Sequence, residues 1–410
     1  MSASSTAAPG TASAMQPATI VLLLALLLGI QPITTDLYLP ALPALSQGLG
    51  ASMAQSQLTL SALLLAFGCA QLVLGPLSDR FGRKPILLWG LAAYVLASVA
   101  GVLAPSIELL IVARTVQGAA MGAAVMCARA VVRDLYAPAA GARVMSRALS
   151  GLGVIACLSA PVGGLASDLF GWRAALLLPA VFGAVTLALV VWRFTESVPV
   201  KNPRALHPGT LLRTWGVILR NPTFLAFCAL TCASYGLLFT FLAASSFVFI
   251  QVLGLSKTQY GLVMFWNSLW YVAGTFLCRY WLQRHGVRGT VARAGGLALV
   301  GATAMGVLAL AGVVSVWAIA LPLTPIMLAH GINQPCGQSG SVGPFPQAAG
   351  AASALNGFFM MVVAFAVGGW LGRSMNGTVL PMAYGMWFFG TCAALAAWTL
   401  VQCHGEPQHG

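Results

Sequence analysis

Long apolar runs, separated by short breaks rich in glycine, proline or charge, set the pattern of this chain. Runs of about 20 residues predict membrane-spanning helices, about the length needed to cross a bilayer. A membrane barrel would instead show short segments of alternating polarity. In order, the runs predict twelve helices: 17–44, 55–77, 85–103, 107–132, 144–168, 172–193, 222–251, 258–281, 289–312, 314–338, 345–372 and 380–402. The longest polar stretch, Thr195 to Asn221, carries Lys201, Arg204, His207, Arg213 and Arg220 with prolines at 199, 203 and 208. It predicts a linker over 194–221, with a short interfacial helix near Thr210–Leu219, between six-helix halves at 17–193 and 222–402. Residues 1–16 and 403–410 read as tails, the first Ala/Ser/Thr/Pro/Gly-rich and disordered. With no Lys or Arg before the first run, a cleaved signal peptide is not expected.

Composition excludes a water-soluble fold. Of 410 residues, 59% are hydrophobic and 7% charged, against about 25% charged in soluble domains. The formal charge of +13 informs topology more than partners, and no nucleic acid is expected. Sixteen basic residues fall on one side of the predicted membrane: Arg80, Arg83, Lys84, Arg129, Arg133, Arg143, Arg147, Arg193, Lys201, Arg204, Arg213, Arg220, Arg279, Arg284, Arg288 and Arg293. Three, Arg173, Lys257 and Arg373, fall on the other. The positive-inside rule then places both termini and the linker in the cytoplasm. The nine cysteines are scattered without zinc-ligand spacing, so they read as buried thiols and no metal is expected. There is neither a phosphate-binding Gly-rich loop ending in Lys-Ser/Thr nor a catalytic constellation. An enzyme is not expected, nor a cofactor, and ATP does not drive the process directly.

Two charges lie deep in apolar runs. Asp36 follows the uncharged stretch Ile20 to Ile30, where an unpaired charge costs roughly 2.5–3.5 kcal/mol on insertion scales. Arg114 shares one helix face with Gln117, Gly118, Met121 and Val125. A buried guanidinium cannot shed its charge, so it needs an acid or a set of carbonyls. At 1.5 Å per residue, Asp36 lies roughly 12–14 Å and Arg114 roughly 10–12 Å below the outer ends of their helices. They share a level, which makes them candidate proton-coupling partners; separate pairing with backbone or water is the alternative. Tyr38, Gln117, Met121, Tyr235, Phe239, Trp266, Asn267, Tyr271 and His330 are candidates for a substrate cavity. Aromatics in such helices also pack against neighbours or sit in interfacial belts, and His330 beside Gly331 also reads as a packing residue. Glu108, Asp168 and Glu196 lie near span ends and read as interfacial.

Between the second and third helices, Gly75-Pro76-Leu77-Ser78-Asp79-Arg80-Phe81-Gly82-Arg83-Lys84-Pro85 combines turn glycines with three bases and one acid. The glycines permit a sharp turn. Asp79 is suited to pair with a neighbouring Arg or to cap a helix of the other half. A weak repeat, Gln283-Arg284-His285-Gly286-Val287-Arg288, occupies the equivalent place in the second half, as expected of transporters built from paired repeats. The fifth helix carries Gly151, Gly153 and Ala160-Pro161-Val162-Gly163-Gly164, small residues suited to close packing and a proline suited to a kink.

These stretches carry a family resemblance. Gly75, Asp79, Arg80, Gly82, Arg83 and Lys84 match the signature loop of the major facilitator superfamily, which controls the conformational switch there. Arg114-Thr115-Val116-Gln117-Gly118 resembles that family's Arg-x-x-Gln-Gly motif. Gly153, Pro161, Gly163 and Gly164 lie in a stretch that resembles the antiporter motif of drug/proton exchangers, with Ala160 in place of a glycine. Thr35–Pro43, Ala130–Tyr136 and Ala349–Gly357 resemble the Bcr/CflA branch of drug exporters. The resemblance implies an all-α, twelve-helix, monomeric protein of the bacterial inner membrane. It further implies export of small, largely apolar phenicol- or bicyclomycin-like compounds by alternating access, driven by the proton gradient. In the expected cycle, Asp36 is protonated from outside, parts from Arg114, and loses its proton inside as substrate binds. Transport of a small metabolite on the same fold, or a non-transporting receptor, are the alternatives.

Overall fold

The computed structural model describes residues 16–405 apart from 137, 199, 200, 202 and 204. Most of the two expected tails therefore lies outside the described residues. Among the described residues there is no strand. The helices are α1 Pro17–Thr35, α2 Leu42–Gly48, α3 Met53–Phe81, α4 Arg83–Leu103, α5 Ile107–Leu135, α6 Pro138–Phe170, α7 Trp172–Arg193, α8 Pro208–Leu219, α9 Pro222–Ser246, α10 Lys257–Leu310, α11 Val316–Val342, α12 Ala349–Ser374, α13 Leu380–Trp398 and α14 Leu400–His404.

Sequence explains many of the boundaries. Ser52, Ser106, Asn221, Ser256 and Ser315 each accept a hydrogen bond from a first-turn amide of the helix they precede, which satisfies donors that have no intrahelical partner. The run expected as one helix over 17–44 is broken. α1 ends at Thr35, a 3-10 turn covers Leu39–Ala41, and α2 follows. Pro40 and Pro43 sit in the first turns of those two short helices, where a missing N–H is harmless.

Among the described residues, eleven helical segments are long and apolar enough to cross a membrane. One of them, α10, is 54 residues long, about 80 Å at 1.5 Å per residue and far beyond a 30 Å hydrocarbon core. The two helices expected at 258–281 and 289–312 are thus joined, with non-helical backbone at Gly286 alone (φ 62, ψ −175). Glycine adopts such a φ without steric penalty, so a single residue does the work of the expected connecting loop.

Within the first half α1 packs on α6 and α7, α3 on α5, and α4 on α5 and α7; within the second, α9 and α10 both pack on α11 and α13. The two halves meet along α3–α12 and α6–α10. The outer faces are apolar, with Trp89 78% and Trp192 79% exposed, as suits a lipid solvent. The short helix expected near Thr210–Leu219 is present as α8; Ile218 and Trp215 dock it onto Phe224, Ala352 and Leu355. The α3–α4 turn and α8 mark the basic end of the bundle. The α6–α7 turn and the start of α10 mark the far end.

Candidate functional site

The break after α1 organises the site. Thr34 O belongs to the last turn of α1, whose carbonyls lack intrahelical donors. Arg114 Nη2 donates to it at 2.9 Å. Nη1 donates to Gln117 Oε1 at 2.7 Å, and the guanidinium carbon lies 4.2 Å from the centre of the Tyr38 ring. Arg114 is 1% exposed and has no carboxylate partner within 4.0 Å among the described residues. It is held by neutral acceptors, by a π face and by the negative end of the α1 dipole.

A chain of hydroxyls closes around it. Gln117 Nε2 donates to Ser98 Oγ at 2.7 Å, and Ser98 Oγ donates to Tyr94 O. Thr34 Oγ1 gives its hydrogen to Ile30 O, so the 2.6 Å contact with Tyr94 must be donated by the Tyr94 phenol. Likewise Thr59 Oγ1 donates to Ser56 O, so Tyr38 donates to Thr59 at 2.6 Å. The network joins α1, α3, α4 and α5. Within it, Arg114 Nε has no partner among the described residues.

Asp36 stands apart. Thr35 Oγ1 lies 2.8 Å from Asp36 Oδ1 and 3.0 Å from Gln31 O, so one hydroxyl hydrogen faces two acceptors. Among the described residues the ion pairs within 4.0 Å involve Asp79, Asp134 and Asp168, not Asp36. Just past it, the 3-10 turn Leu39–Ala41 packs on α9 and α10, the helices that carry Tyr235 and Tyr260. Asp36 therefore lies beside the seam with the second half. The expected Asp36–Arg114 pair is not formed, because Arg114 is committed to the end of α1 while Asp36 lies past that end. Thr35 alone separates Asp36 from the residue whose carbonyl Arg114 holds.

The other candidates scatter around this centre. Tyr38 lies buried against Arg114, and Gln117 belongs to the same network. Met121 is buried one turn further along α5. Tyr235 and Phe239 stack, with ring centres 6.4 Å apart. Asn267 is buried, and neither amide atom has a partner among the described residues. Tyr271 and His330 pack with ring centres 5.7 Å apart, and His330 Nδ1 lies 2.9 Å from Ser234 Oγ. Trp266 is 42% exposed and meets Trp270 edge-on, outside both groups. Tyr94, Ser98, Thr59 and Tyr260 were not singled out by sequence. Tyr94 and Ser98 lie one helical turn apart, but a polar pair in an apolar helix is a faint signal.

The loop at the basic end folds around Arg83, which is 3% exposed. Arg83 pairs with Asp79 at 2.6 Å and Asp134 at 2.9 Å, and donates to Ser78 Oγ. Asp79 thus takes its neighbouring Arg. The helix cap comes instead from Glu196, whose carboxylate accepts the N–H groups of Arg83 (2.9 Å) and Lys84 (3.1 Å) at the start of α4. Glu196 is exposed just past the end of α7, as the interfacial reading has it, and caps α4 in addition. Gly82 has φ 107, and a Cβ there would strike Glu196. Arg80 stacks on Phe81, and Gly75 lies beside Met126.

In α6, Gly163 lets the helix seat on the carbonyl of Leu37, the residue after Asp36, and Gly164 does so on the carbonyl of Lys257. The Pro161 backbone meets Gly261, whereas Gly153 faces open space.

The chain matches the model of the Major Facilitator Superfamily over residues 24–369. It is 28% identical over 341 residues to multidrug resistance protein D of Escherichia coli K12, covering 82% of this chain and 84% of that protein. It is 26% identical over 377 residues to a bicyclomycin resistance protein homolog of Haemophilus influenzae, covering 92% and 94%. A chloramphenicol resistance protein of Pseudomonas aeruginosa is 35% identical over 178 residues, 43% of this chain and 42% of that one. The crystal structure of a D-xylose-proton symporter superposes with a TM-score of 0.74 at 16% identity, covering 95% of this chain and 99% of that one. That likeness is one of fold. The chain belongs to the Major Facilitator Superfamily: it is a multi-pass membrane transporter with relatives named for multidrug, bicyclomycin and chloramphenicol resistance.

Proposed function

We propose that this transporter exports small, largely apolar compounds, phenicol- or bicyclomycin-like antibiotics among them, in exchange for protons bound at Asp36. The observation that carries the reading is the Asp36 carboxylate, beside the seam with the second half, with one hydroxyl donor and no cation within 4.0 Å among the described residues. An unpaired charge at that depth costs roughly 2.5–3.5 kcal/mol, and proton uptake removes the cost. The Thr35 hydroxyl supports a reversible event: it donates to Asp36 when the carboxylate is charged, and turns to Gln31 O when Asp36 carries its own hydrogen.

Arg114 has a different role from a displaced counter-ion. It pins the broken end of α1 through Thr34 O, so that Asp36 is held beside the seam with α9 and α10. With α10 divided at Gly286, the helices make twelve spans in two halves. The excess of bases at the α3–α4 end supports a cytoplasmic location for both termini, in a bacterial inner membrane. Protons enter from the far end, substrate arrives from the basic end beside Tyr235 and Phe239, and its binding releases the proton inward. The halves rock about this site, a single chain suffices, and the proton gradient is the sole energy source.

Everted membrane vesicles test the reading. Vesicles bearing the protein are expected to accumulate a phenicol or bicyclomycin when acidified inside, and to stop when nigericin collapses the pH gradient. Accumulation that survives nigericin would remove proton exchange from the account.

A further inference from the structure

The far end of the interface between the halves is fastened by a pair of helix ends that cap each other. α6 of the first half finishes where α10 of the second half starts. Asp168, in the last turn of α6, accepts the Thr258 N–H at 2.8 Å and the Thr258 hydroxyl at 2.7 Å through Oδ2. These belong to the first turn of α10, where amides lack intrahelical acceptors. In return, Lys257 Nζ donates at 3.0 Å to Ser167 O, one of the orphan carbonyls at the end of α6. The same ammonium lies 3.8 Å from Asp168 Oδ1. An acid meets the positive end of one helix dipole and a base meets the negative end of the other. α10 already has a local cap, the reciprocal Ser256–Gln259 pair, so Asp168 is not needed to start that helix.

The seam has a direction. Where glycines bring α6 and α10 together, they do so at this end: Gly164 against Lys257, and Gly261 against Ala160 and Pro161. Toward the basic end, Gly153 faces open space, and Ser146, Arg147, Ser150 and Val154 are exposed. The α3–α12 seam, by contrast, is in contact from Ala54–Gly372 to Gln71–Gly357.

We infer that Asp168, Lys257 and Thr258 form a latch that holds the far end shut, and that its release sets the balance between the two facing states. This rests on reading the chain as an alternating-access transporter. In the state open to the far side, α6 and α10 part there, and all of these bonds break together. The three residues are positioning residues. None needs to touch substrate, and the latch acts on how often the site faces outward.

Hydrogen–deuterium exchange of the full-length protein in lipid nanodiscs, without drug, tests this separately from any transport assay. Asp168→Asn is expected to raise the far-end-open population on the order of ten-fold. Uptake then rises over 164–170 and 257–262 and falls over 143–152 and 279–288, where the basic end closes. Asp168→Glu is expected to remain near wild type. Thr258→Val, which removes one hydroxyl and no charge, gives the same reciprocal pattern at smaller amplitude, so a folding defect in Asp168→Asn leaves the test intact. Faster exchange confined to the far end, or none anywhere, would overturn the latch.

Discussion

Replacing Arg114 by lysine keeps the positive charge and removes the planar fork. In the structure that fork spans two acceptors, Thr34 O at 2.9 Å and Gln117 Oε1 at 2.7 Å, while lying on the Tyr38 ring. A single ammonium reaches one acceptor well and does not stack flat. The loss is one charge-assisted hydrogen bond, about 1.5–3 kcal/mol, plus a stacked cation, about 0.5–2 kcal/mol. Against this, the unpartnered Nε of Arg114 disappears, which returns about 1–3 kcal/mol of desolvation penalty. At the middle of these ranges the net is a destabilisation of about 1.5 kcal/mol. A thiol-reactive dye can follow thermal unfolding of the detergent-purified protein, because Cys127, Cys228, Cys278 and Cys336 are free and buried. Arg114→Lys should melt below wild type and lose export, since Thr34 and with it Asp36 are no longer pinned. A variant that melts and exports like wild type would refute the claim that two-acceptor geometry holds the break in α1.

Other substitutions probe neighbouring links. Tyr38→Phe deletes the hydrogen bond to Thr59 but keeps the ring beneath Arg114, so it should cost about 0.5–1.5 kcal/mol; Tyr38→Leu should melt lower still in the same dye assay. Gly118→Ala drives a methyl into the backbone of Leu63 on α3. Overpacking of about 1–3 kcal/mol is expected, visible as a lower melting temperature. Glu196→Ala uncaps α4 by removing the acceptor for the Arg83 and Lys84 amides. It should lose about 0.5–2 kcal/mol and speed hydrogen exchange at the start of α4, with little change at the α1 break.

Much of the architecture was written in hydrophobic run length, because a span of lipid demands one. The joined α10 was not, since one glycine at φ 62 replaces a loop and composition does not reveal φ. Asp36 and Arg114 could be found as lone charges in apolar runs. Their partners could not, because they belong to tertiary packing: a carbonyl freed by a helix end, a tyrosine ring, and hydroxyls from other helices. Depth along each helix suggested an ion pair, but depth says nothing about rotation around the helix axis. Glu196 and Asp168 were read as interfacial acids because they stand at span ends. They do stand there, and each caps the start of another helix.

The central claim is that Asp36 holds the proton exchanged for substrate. Purified protein in weakly buffered detergent with a pH-indicating dye tests it directly. Addition of a transported phenicol should release protons from the wild-type protein and none from Asp36→Asn, while drug binding by the variant persists. Equal proton release by Asp36→Asn would contradict the account.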